Sequence, residues 1–328
     1  MGAKRYLTTA LLIAASQAAL LAQNSQSPVV PKRLIFATSS AFNLLFRNPA
    51  GVWCDAAHRE ILVADTGNHR VVILDEHGIP TYQFVHQVTL EGQTQNGEPR
   101  SIAVSSKGTI YIVDNLCNTV DVCDYRGDTI GHIDPARYLA KTASGETGSK
   151  AAQAMISKPT AVAVDYLDNV YIACPNRILI FNSKGKFRKV MGKTGIGPGE
   201  FTAITDIWVD TAGRIYITDA QSLAVQILSP DGKLLLGFGT HNAGVTNFSL
   251  PAAICTDRRG DIWVVDTLRQ VISAFQRNGD QVVYLDSMGG FGVRPGEVAF
   301  PSAIGADWNG RLIIVDRVGG RVQCFDWK

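Results

Sequence analysis

An excess of charge of either sign is the first thing this sequence lacks. It has 31 Lys plus Arg against 29 Asp plus Glu, and two of the cations, Lys4 and Arg5, lie in an amino-terminal leader, so the rest of the chain is neutral. A balanced surface offers no electrostatic footprint for nucleic acid or for an anionic membrane, and neither is an expected partner. Beyond the leader, no apolar run is long enough to span a bilayer. The six Cys (Cys54, Cys117, Cys123, Cys174, Cys255 and Cys324) lack the spacing of a disulfide framework. The sequence also contains no Gly-x-Ser-x-Gly elbow, phosphate loop or paired-carboxylate signature.

The leader, MGAKRYLTTALLIAASQAALLAQ, joins a basic start to an apolar run and a small residue at Ala22, the pattern of a secretory signal peptide over 1–22. An uncleaved anchor is the alternative, and the interruption at Ser16 and Gln17 argues against it. A polar linker over 23–32 and one domain over 33–328 complete the chain, which is expected to be extracytoplasmic, either periplasmic or secreted.

What is present is repetition. VADTGNHRVVILDEHG returns as VDNLCNTVDVCDYRG, ACPNRILIFNSKG, TDAQSLAVQILSPDG, VDTLRQVISAFQRNG and VDRVGGRVQCFD. A marker ends the second strand of each copy, at Asp65, Asp114, Cys174, Asp219, Asp266 and Asp316, with intervals of 49, 60, 45, 47 and 50. Alternating apolar runs joined by Gly- and Asn-bearing turns are meander strands, and a period of this size holds four of them. Six such units predict an all-β, six-bladed propeller of four-stranded antiparallel blades. The last copy stops after three strands while RLIFATSS (33–40) precedes the first, so the amino-terminal strand is expected to complete the final blade and close the ring. The large second-strand residues Leu62, Tyr111, Tyr171, Tyr216, Trp263 and Ile313 are expected to pack between blades. Small first-strand residues, Gly51, Ala103, Ala163, Ala253 and Gly305, suit the narrow axis.

The phrases GKTGIGPGEF and GGFGVRPGEVAFPSAIGAD, joined to a strand ending in Asp and a turn before an alternating strand, resemble NHL repeats over nearly all of 49–327. The resemblance implies the propeller fold and leaves the function open, because that family includes binding modules and platforms as well as relatives of the amidating lyase and the lactonases. WD40 repeats are the nearest rival, but their Trp-Asp dipeptide is missing from the ends of the third strands. An amidating-lyase-like zinc site needs about three converging ligands. Of the six His, only His69 and His241 fall on the face of the long loops, so that ligand set is incomplete.

That face carries the inter-blade loops 135–157, 240–249 and 288–300, whereas the opposite face has uniformly tight turns. The first of the three loops is read either as a lid or docking segment or as a solvated insertion. Candidate ligand-binding residues on the loop face are His69, Arg100, Asp114, Asn115, Asp206, Asp219, His241 and Asp266. The Asp markers carry a second reading, in which each carboxylate accepts hydrogen bonds from the turn that it starts. Cys117 and Cys174, on neighbouring turns, form a candidate disulfide if their Cα atoms approach within about 7 Å. The other four Cys read as small buried hydrophobes. The function expected is a non-catalytic, monomeric module that binds a small molecule or a protein and needs no cofactor. The alternative is a metal-assisted lyase or hydrolase with a divalent cation near the axis.

Overall fold

Each period-two run becomes a strand, and the strands form six four-stranded antiparallel sheets. A computed structural model describes residues 32–142, 157–241 and 244–327. The leader 1–22, the linker 23–32 except Lys32, loop residues 143–156 and 242–243, and Lys328 therefore lie outside the described residues. Blades one to five span 51–85, 99–133, 161–191, 204–238 and 251–289. Blade six comprises Pro301–Ala306, Leu312–Asp316 and Arg321–Trp327, with Lys32–Thr38 as its outermost strand. The expected closure is thus observed, and it covers the open edge that Arg321–Trp327 would otherwise present.

The core lies between blades, as it must when one thin sheet cannot bury both of its faces. Leu62 and Ile73 of blade one meet Ile102 and Ile110 of blade two, and Ile61 and Val72 meet Ile313 and Val322 of blade six. All six large second-strand residues, from Leu62 to Ile313, are buried. The tight face is held by a second set of acids at the ends of the first strands. Asp165, Asp210, Asp257 and Asp307 each accept hydrogen bonds from the backbone N–H groups two and four residues on. Among the described residues, no helix is long and apolar enough to cross a membrane.

The innermost strands do not form the single column of small residues that the sequence implies. Gly51 and Ala253 line the mouth of the axis, while Ala103, Ala163 and Gly305 lie one pleat deeper, in register with Trp53, Trp208 and Cys255. Gly51 itself is demanded by close approach, because a Cβ there would stand 2.3 Å from the carbonyl oxygen of Arg100 in the next blade.

Candidate ligand site on the propeller axis

The Asp markers are structural. Asp219, fully buried, accepts from the N–H groups of Gln221 and Ser222 in the turn it starts, and from Thr202 and Ala203 in the incoming inter-blade loop. Asp266 likewise binds Ser249, Leu250 and Arg269, and Asp114 binds Glu98 and Leu116. The turn explanation is right and incomplete, since each carboxylate also staples down the preceding connection. Asp114, Asp219 and Asp266 therefore turn into the sheet rather than towards the axis. His69 and His241 are occupied too: their ring nitrogens lie 2.7 Å from the Gly97 carbonyl and 3.0 Å from that of Ser222.

The remaining three candidates, Arg100, Asn115 and Asp206, come together. They line a cavity of about 370 Å³ at the loop-face end of the axis, along with Arg317 and the hydroxyl residues Ser101, Thr160, Thr205, Thr267 and Ser302. A β-bulge directs this arrangement. In blades two, four, five and six the pairing skips one residue at the start of the first strand, and the skipped residues are Arg100, Thr205, Ala252 and Ser302. An unpaired residue is released from the pleat and re-aimed, and all four line the cavity. Several hydroxyls are already fixed: Thr205, Thr267 and Ser302 donate to the carbonyls of Pro251, Pro301 and Pro49 in the following blades. Having donated, each oxygen keeps lone pairs to offer.

Two indoles close the axis one pleat deeper. The rings of Trp53 and Trp208, from blades that lie opposite one another, have centroids 5.7 Å apart. A contact between opposite blades of a six-membered ring has to cross the axis, so the cavity is blind and opens only on the loop face. Trp208 is anchored by its indole N–H, which donates to Thr256.

Burial pushes the Asp206 carboxyl up to about 7, against the backbone N–H groups of Ile254 and Ile207 and the charge of Arg100, which favour its ionised form. Burial also lowers the pKa of Arg100; Asp206 opposes that shift and Arg317 adds to it by like-charge repulsion. Among the described residues, no three His, Cys, Asp or Glu are disposed to hold a metal ion. A cation beside Asp206 would face two guanidinium groups on the same wall.

The proposed bridge between Cys117 and Cys174 is not formed, and all six cysteines are free. Cys174 instead directs its thiol to the Ser157 carbonyl at 3.4 Å. Burial raises the pKa of both thiols, that of Cys117 to about 12, so neither is a ready thiolate. Cys123, Cys255 and Cys324 are buried and Cys54 is half-buried.

Comparison with known proteins agrees with the architecture. A family model described as a 6-bladed beta-propeller matches residues 154–228. The mouse "NHL repeat-containing protein 3" is 27% identical over 106 residues, a match that covers 30% of each chain. Among solved structures, a streptogramin B lyase aligns with TM-score 0.60 at 12% identity, over 90% of this chain and 98% of that one. Virginiamycin B lyase from Staphylococcus aureus aligns with TM-score 0.55 at 14% identity, over 87% and 82%. A protein of unknown function from Bacteroides thetaiotaomicron gives 0.61 at 15% identity, over 90% and 76%. At such identities the likeness is one of fold. The chain is a six-bladed β-propeller, and part of it is similar to an NHL repeat-containing protein.

Proposed function

We propose that this chain is an exported, monomeric binding module that takes a small molecule into the axial cavity of its loop face, without catalysis and without a resident metal. The observation that carries this reading is a blind cavity lined by two arginines whose side chains the fold does not use. Elsewhere on the loop face, the buried arginines Arg70 and Arg321 are engaged by side chains and backbone carbonyls. Arg70 binds Asp65, Gln83 and two carbonyls, and Arg321 binds Asp316 and carbonyls of the inter-blade loop. Arg100 and Arg317 make no hydrogen bond to any described residue, and their charges face the cavity. Export rests on the signal-peptide pattern over 1–22.

The test is a small-molecule screen by ligand-observed NMR, repeated on Ala252→Trp, which places an indole in the cavity wall. Compounds that bind the wild-type protein are expected to lose their signal in the variant while its melting temperature stays within a few degrees. Binders that the variant retains would place the site elsewhere, and turnover of a bound compound would overturn the non-catalytic reading.

A further inference from the structure

We propose that the axial cavity selects ligands bearing an oxyanion group, a carboxylate or phosphate, gripped between Arg100 and Arg317, with hydroxyl or amine donors directed at Asp206 and the threonine oxygens. This rests on the cavity being the binding site. The charge count of the wall sets the sign. With Asp206 ionised the three groups leave one positive charge in excess, and with it protonated, two. Holding the Arg100 guanidinium away from bulk water without full compensation is costly, and the like charge of Arg317 raises that cost further.

Asp206 relieves that cost only in part. Its carboxylate is turned across to the next blade, where Oδ2 accepts from the Ile254 N–H at 3.0 Å, and the described residues show no ion pair with Arg100. Arg100 sits on a bulge that aims it inward, and Arg317 stands exposed at the rim two blades away around the ring, just past the Asp316 marker. Two guanidinium forks converging from separate blades, neither with a protein acceptor, suit an oxyanion bound bidentately. The rest of the wall has the opposite character. The hydroxyls of Thr205, Thr267 and Ser302 are spent as donors on proline carbonyls, so towards the cavity they act as acceptors. The ligand class that satisfies both halves is a small acid carrying O–H or N–H groups, such as a hydroxy acid, an amino acid or a sugar acid or phosphate. A neutral apolar compound would leave two cations unmet.

The experiment follows the arginine Nε–Hε resonances of the full-length protein during separate titrations with inorganic phosphate, acetate and glucuronate. Arg100 and Arg317 should shift saturably at millimolar concentrations, with glucuronate binding more tightly than acetate because it adds donors. Arg100→Gln with Arg317→Gln should weaken glucuronate by roughly tenfold or more, the loss expected when charge-assisted bonds are removed. Arg100→Lys keeps the charge but loses the fork and should fall between the two. A wild-type protein showing no saturable shift, or a double variant that binds as well as wild type, would overturn the proposal. The two failures can be told apart. A neutral compound excluded by Ala252→Trp but indifferent to the arginine variants would leave the cavity standing and remove the oxyanion. A compound indifferent to Ala252→Trp would remove the cavity itself.

Discussion

His86 follows directly on Pro80–Val85, the outer strand of blade one, and its ring is nonetheless buried. It is 2% exposed, with Nε2 at 3.4 Å from Asp114 and 3.3 Å from Asp121, and Asp121 also meets His132 at 2.7 Å. Burial disfavours its charged form, but the two carboxylates prevail and raise its pKa to about 9. Because the folded value lies above the unfolded one of about 6.5, the stabilisation is complete below about pH 6.5 and disappears as pH rises through 9. Its size is on the order of 3 kcal/mol. Urea midpoints measured at about pH 7 and about pH 9.5 should therefore fall further for wild type than for His86→Gln. Equal losses would show that His86 is not charged in the fold. Arg317 is the charged cavity residue missed in the sequence, although the signal was available. It occupies the position after the Asp316 marker, as Asn115 does after Asp114, and immediately precedes the turn VGGR (318–321).

At the scale of the element, strands and their order were legible because each blade repeats the same apolar alternation and turn residues. The axial layers were not. The two layers lie two and four positions after the residue that opens the strand, and choosing small residues across both columns merged Gly51 and Ala253 with residues a pleat deeper. That slip hid both the ring of re-aimed residues and the Trp53–Trp208 floor. The Asp markers were readable as turn formers from their recurrence, yet their grip on the incoming loop depends on neighbours 16 or 17 positions upstream that no local pattern reveals. Asp219→Ala strands four backbone donors at once. It should cost roughly 3–5 kcal/mol of stability, since each bond to a charged acceptor is worth about 1.5–3 kcal/mol and neighbouring losses are not additive. Asp280→Ala, on an exposed turn, is the control and should leave the denaturation midpoint unchanged; equal effects would refute the stapling role.

For the whole molecule, ring closure and the site are parts of one design. Joining the amino-terminal strand to blade six draws six first strands around a narrow axis, and bulges at four of them turn side chains into the space that remains. Propellers keep this scaffold while changing what lines the axis, so likeness of fold to lyases is compatible with a different task here. What separates the site from the scaffold is that the charges of Arg100, Asp206 and Arg317 do little to hold the ring together, whereas the Asp markers do. Residues retained for binding at the expense of stability can be neutralised without harm to the fold. The most direct measurement is the melting temperature of the triple variant Arg100→Gln, Asp206→Asn, Arg317→Gln beside wild type at about pH 8, where Asp206 is ionised in the parent. A value equal to or above that of wild type is expected; a fall as large as that of Asp219→Ala would show that these charges belong to the architecture and that the axis is not a binding site.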